Sequence, residues 1–211
     1  MNDTKKYRDL DLRVLLMEHV ARTYSGKEYF AALEARYAAS DRRADVLVVS
    51  DYSHAFEIKS DVDRLDRLPG QLIDYRRTFD YLTVVTTQRH ARKVKTMLGK
   101  KDGLIVICDH EIIEMKEPKR NKGIKKRNLA FMCSKPVLAS ALNVAHGSVS
   151  VDLIRGLAEK ELPLAVLRQV VFSELKRKFK KKYDEFLEEA CIPYREIDLT
   201  MLQSSSRLGT D

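Results

Sequence analysis

Cysteine is scarce in this chain. Cys108, Cys133 and Cys191 are widely separated, odd in number and never paired as CxxC. That spacing excludes a disulfide framework and the usual thiolate zinc sites; three reduced thiols packed like small hydrophobes are the expectation. Long apolar runs are also missing. None approaches the roughly 20 residues that a bilayer-spanning helix needs, and "MNDTKKYRDLDLR" at the N-terminus has no leader-like apolar stretch. A soluble, cytoplasmic protein with no membrane partner is therefore expected. Neither an internal repeat nor a base-reading motif such as a zinc finger is present.

Hydrophobic residues make up 44% of the 211 positions, enough for a substantial core. The formal charge is +8, with a pI near 9.3. An excess of that sign favours polyanionic partners, nucleic acid first. Much of it lies in "KRNKGIKKR" (119–127) and "KRKFKKK" (176–182). The first has a glycine and no apolar periodicity and reads as a loop; the second continues a helical pattern. Either could equally be a solvated charged face.

Periodicity predicts an order of elements. Leu12, Leu15, Leu16 and Val20 have helical spacing, with Asp9 or Asp11 as a cap. Three strands follow: Phe30 to Tyr37, "ADVLVVS" and "SHAFEIKS". A helix after Pro69 precedes the strand "YLTVVTT", whose β-branched residues are nearly continuous. "RHARKVKTMLG" reads as a helix ending on Gly99. "GLIVICD" and "EIIEMKE" read as two more strands. From Leu129 to about Ala190 the texture is helical. The expected class is α/β: a mixed sheet flanked by helices, plus a C-terminal helical region. The expected divisions are a core over 1–118, a basic linker over 119–128, helices over 129–200 and a flexible tail over 201–211.

Polar residues interrupt the strands at one place. Asp45 and Glu57 stand twelve positions apart on strands joined by a short turn. Antiparallel pairing carries both to the end of the hairpin far from its turn. Glu57 and Lys59, two apart, project from one face, while Ile58 points inward and keeps its backbone carbonyl available. Two carboxylates and a carbonyl are hard oxygen donors that suit Mg²⁺ or Mn²⁺, with waters and a substrate phosphate completing the shell. Lys59 could orient water or offset phosphate charge. An ion pair of Asp45 with Arg43 or Lys59 is the plain structural alternative. On the following helix, Gln71 and Tyr75 are four apart and share a face. Glu34, one strand earlier, is a third acid within reach of the same edge.

Together these residues resemble the PD-(D/E)XK nuclease superfamily, restriction-endonuclease-like in fold, and through Gln71 and Tyr75 its RecB-like branch. "RRADVLVV … AFEIKSDVDRLDRLPGQLIDYRRTFDYLTVV" is similar in more detail to a family of small bacterial and phage proteins. Those share RADV, then EIKSD-x-D-x-L-x-RL-x-x-Q, then an aromatic pair before an apolar strand. The likeness spans Glu34 to Thr87. It implies metal-dependent phosphodiester hydrolysis, with Asp45 and Glu57 as ligands, Lys59 as catalytic lysine, and Gln71 with Tyr75 as accessory pair. Ala44 stands where the superfamily name has proline. A further acid is implied, either Glu18 or Glu34. Asp61, Asp63 and Arg64 accompany the motif, and the two aspartates are also good helix N-caps.

The resulting expectation is an Mg²⁺-dependent endonuclease acting on DNA in preference to RNA. Lys119, Arg120, Lys122, Lys125, Lys126, Arg127, Lys180, Lys181 and Lys182 would hold phosphates without reading bases. The alternative is a non-catalytic nucleic-acid-binding or regulatory module on a nuclease fold. The sequence sets no oligomeric state; a dimer is compatible with it.

Overall fold

The computed structural model describes residues 6–37, 42–145 and 147–204. Helix α1 (Asp9–Thr23) leads into strands β1 (Phe30–Arg36), β2 (Arg43–Val49) and β3 (Ser53–Lys59). Helix α2 (Leu68–Thr78), strand β4 (Tyr81–Thr87), helix α3 (Gln88–Met97) and strands β5 (Gly103–Cys108) and β6 (Glu111–Lys116) follow. The six strands form one sheet in the order β1-β2-β3-β4-β5-β6. Strand β2 runs antiparallel to both β1 and β3, the strands β3, β4 and β5 run parallel, and β6 returns antiparallel to β5. Parallel neighbours need a crossover, which α2 and α3 supply. Strands β4 and β5 are buried almost throughout, as expected of strands covered on both faces.

Beyond the sheet lie α4 (Lys126–Phe131), α5 (Lys135–Ala141), α6 (Val151–Glu161), α7 (Leu164–Glu189) and α8 (Glu196–Leu199). The 26 residues of α7 bury Leu167, Val171, Leu175, Phe179, Tyr183 and Phe186, a stripe at helical spacing. This stripe joins the same buried cluster as the sheet, and α7 packs on β1. The carboxylate of Asp80, fully buried before β4, receives two bonds from Arg168 of α7 at 2.6 and 2.9 Å, and bonds from the Ser53 amide and hydroxyl. The basic stretch after β6 is stitched to the same place. The amides of Lys119, Asn121 and Lys125 donate to the carbonyls of Lys101, Asp80 and Arg77. Gly103 is required by close approach: a Cβ there would stand 2.5 Å from Thr83 Oγ1. On the outer side of β1, Leu33 bridges Gln203 and accepts a bond from the Ser204 amide.

Three local expectations are corrected. Helix α3 closes at Met97 with Leu98 extended, and Gly99 has no left-handed turn to supply. Asp61 and Asp63 cap no helix, because α2 begins only at Leu68, behind Arg67. Asp61 instead accepts from the Tyr7 amide and the Thr87 hydroxyl, and Asp63 from the amide and hydroxyl of Ser60. The cysteines do not all pack inward: Cys133 is buried, Cys108 half-buried and Cys191 exposed. Among the described residues no helix is long and apolar enough to cross a membrane.

Candidate active site

The hairpin register sets the centre of the site. Val46 pairs with Phe56, so Asp45 and Glu57 face each other one step further out. On the other side of β2, Leu33 pairs with Val46 and Ala35 with Ala44, which sets Glu34 beside Asp45. Three carboxylates thus form a row across β1, β2 and β3. Glu34 takes the left-handed conformation, φ +54°, inside a strand. Such backbone costs a non-glycine residue about 1–2 kcal/mol and must be held by its surroundings. Two arginines hold it: Arg13 and Arg43 both ion-pair with the Glu34 carboxylate.

Glu57 is almost wholly buried and accepts one bond at each carboxylate oxygen, which leaves lone pairs over. Lys59 Nζ donates to Oε1 at 2.5 Å, and the Tyr75 hydroxyl donates to Oε2 at 2.5 Å. Tyr75 is fully buried; burial and then the Glu57 charge push its phenol well above the ordinary range, so it keeps its proton and remains a donor. Asp45 accepts the Ile58 amide at 2.7 Å through one oxygen. Its other oxygen lies 3.7 Å from Arg13. Desolvation and the neighbouring Glu57 charge raise the Asp45 pKa well above the carboxylate range, more than the Ile58 amide, Arg13 and Lys59 lower it. Asp45 is packed against Glu57 with too little positive charge of its own around it.

These groups open into a cleft of about 570 Å³, lined among others by Glu34, Asp45, Glu57, Ile58, Lys59 and Gln71. Arg42, Arg43 and Arg67 also line it. Gln71 Oε1 is buried there with no hydrogen-bond partner, an acceptor left open toward a donor or a cation. Of the two candidate extra acids, Glu34 lines the cleft. Glu18 points elsewhere and accepts from the Tyr194 amide at 3.1 Å. Arg13 had escaped sequence reasoning; only its buried position on a helix otherwise packed by leucines could have marked it.

The donor set fits a hard divalent ion in part. Among the described residues, no group of three or more His, Cys, Asp or Glu side chains is gathered to hold a metal. Asp45, Glu57 and the Ile58 carbonyl would be the protein's share, leaving the remaining positions to water and substrate, as Mg²⁺ commonly does.

The basic segments lie elsewhere. None of Lys119, Arg120, Lys122, Lys125, Lys126 and Arg127 lines the cleft, and neither do Lys180, Lys181 and Lys182. The first group begins where the chain docks beside Asp80, at the opposite end of β3, about 13 Å along the strand from Glu57. There Arg120 stacks on Tyr52 at 4.3 Å, and Lys126 donates to the Leu162 carbonyl. On α7, Lys180 and Lys181 pair with Asp184 and Glu185 one turn on, and Lys182 donates to the Gln203 carbonyl.

The family model described as "Bacteriophage P4 protein cII" matches residues 3–204. "Protein cII" of Enterobacteria phage P4 is 25% identical over 188 residues, covering 85% of this chain and 71% of its own length. A solved structure, "SPO1766 protein of unknown function from Silicibacter pomeroyi", is similar at a TM-score of 0.45 and 14% identity, over 86% of this chain and 93% of the other.

Proposed function

The chain belongs to the Bacteriophage P4 protein cII family, and within it we propose a metal-dependent phosphodiesterase of the PD-(D/E)XK type, an endonuclease acting on DNA. One observation carries the reading. Two adjacent acids, of which Asp45 is under-compensated, a lysine on the same face, and a tyrosine and an open amide oxygen from the next helix all converge on one cleft. A protein that only binds nucleic acid gains nothing from burying like charges, which cost stability without a cation between them.

Asp45, Glu57 and the Ile58 carbonyl would hold Mg²⁺ or Mn²⁺. When bound, the ion supplies Lewis acidity toward the phosphate and a more acidic water. Lys59 Nζ, fixed against Glu57, offsets charge that develops on the phosphate oxygens. Tyr75, itself bonded to the Arg43 carbonyl at 3.0 Å, holds the Glu57 carboxylate in one rotamer, the positioning that a metal ligand needs. Gln71 Oε1 accepts from the attacking water. Arg67 at the rim takes a flanking phosphate, and a contact of that kind positions a strand without reading its bases.

The test is cleavage of supercoiled plasmid, single-stranded DNA and RNA with Mg²⁺ or Mn²⁺, beside Lys59→Ala and Asp45→Asn. The intact protein should cut DNA only with metal, and each variant should lose at least about 100-fold of that rate. Cutting that survives both substitutions would falsify the assignment. Tight DNA binding with no cutting on any substrate would favour the non-catalytic binding module.

A further inference from the structure

Arg13 reaches three carboxylates from α1: Asp9 at 2.5 Å, Glu34, and Asp45 at 3.7 Å. It is buried, and its planar guanidinium presents five donors that cannot be deprotonated. Six acids line the cleft; Asp63 is bonded to Ser60 and Asp66 to Arg64, and the other four are Asp9, Glu34, Asp45 and Glu57. Three cationic groups face them: Arg13, Arg43 on Glu34, and Lys59 on Glu57. One negative charge is left over, at Asp45, where the row of acids meets Glu57.

A single divalent ion between Asp45 and Glu57 would leave one positive charge in this group, matched to one bridging phosphodiester. A second divalent ion would need Glu34 or Asp9 as ligands, and Arg13 already occupies the space between those two. Resting on the nuclease reading above, we propose that the Arg13 guanidinium stands where a second metal ion would sit, so that the cleft takes one divalent cation per chain. Glu34 is then the partner of Arg13 and Arg43 and not a metal ligand. Its left-handed backbone is the local cost of turning that carboxylate toward the guanidinium.

Titration of the full chain with Mn²⁺, with free ion counted by its electron paramagnetic resonance signal, tests this without reference to activity. The intact protein should bind one Mn²⁺, and Arg13→Met, which frees Asp9 and leaves Glu34 paired with Arg43 through one oxygen only, should bind two. Glu34→Gln leaves Arg13 in place and reads the same assignment independently, should Arg13→Met fail to fold. It should still bind one ion, with affinity changed by no more than about threefold, where loss of a true ligand or its supporting partner costs roughly 10–100-fold. Two ions on the intact protein, one ion on a folded Arg13→Met, or a tenfold weakening by Glu34→Gln would each overturn the role given to Arg13 while leaving the nuclease reading standing. No Mn²⁺ bound by the intact protein, with or without a DNA duplex, would overturn both.

Discussion

Replacing Asp45 by asparagine separates a functional acid from a structural one by the sign of its effect. The side chain keeps its size, and the amide oxygen can still accept the Ile58 N–H now made at 2.7 Å. What disappears is a charge. That charge attracts Arg13 at 3.7 Å, worth about 4 kcal/mol at an effective dielectric constant near 20. Against this stands repulsion from Glu57 on the adjacent strand, about 3 kcal/mol at the roughly 5 Å that separates facing side chains. Partial desolvation of the carboxylate adds several kcal/mol more. The balance is unfavourable, in the same direction as the raised Asp45 pKa. Without metal, Asp45→Asn should therefore be more stable than the natural sequence by about 1–3 kcal/mol, within the roughly 1–4 kcal/mol gained where buried ionic groups are replaced by neutral ones that fit. For a chain of this size that is a rise of roughly 3–10 °C in melting temperature. Paired melts in EDTA and in Mg²⁺ are the assay. Added Mg²⁺ should raise the melting temperature of the natural protein and leave the variant where it was. A variant that melts lower in EDTA would show that Asp45 serves the fold through Arg13, and the charge argument for a cation would fall.

Other consequences follow from the same coordinates. Arg168→Met strips the buried Asp80 carboxylate of its bidentate partner. It should cost about 3–5 kcal/mol, read as a fall in denaturation midpoint; a loss below about 1 kcal/mol would mean that Ser53 and Arg120 suffice. His54 is bonded to the Tyr24 and Thr83 hydroxyls, and burial lowers its pKa to about 3. The unfolded chain takes up that proton near pH 6.5 and the folded chain does not. His54 therefore contributes stability above pH 6.5 that is lost as pH falls toward 3, at up to about 1.4 kcal/mol per pH unit. Folding free energies at pH 7 and pH 5 should differ less for His54→Gln than for the natural protein; equal differences would refute the assignment.

Much of the site could be read before any fold was known, because its pieces are close in sequence. Alternation along "ADVLVVS" and "SHAFEIKS", with a short turn between, dictates an antiparallel hairpin. Arithmetic on that hairpin then puts Asp45 opposite Glu57 and Lys59 on the same face as Glu57. Helical spacing does the same for Gln71 and Tyr75. The succession of elements and a mixed sheet were legible for a similar reason: runs rich in β-branched residues alternate with amphipathic stretches, and parallel neighbours need a crossover.

Contacts across long separations had no such signature. Arg13 meets Glu34 across 21 positions, and Asp80 meets Arg168 across 88. Neither distance is encoded in a repeat; each follows from how α1 and α7 dock on the sheet. The same holds for the acids of the first helix and strand. The resemblance put Glu18 forward with Glu34 as the competing choice, and only packing turned the first toward the Tyr194 amide and the second into the cleft. Charge runs carry no address for a related reason. Composition counts lysines, whereas the fold decides which end of the sheet they occupy and whether an acid one turn away already faces them. By itself, then, the amino-acid order determined what lies within a turn or a hairpin, because backbone periodicity is a local property. Which distant side chains share a cleft was decided by the burial of apolar faces, a cooperative outcome of the whole chain.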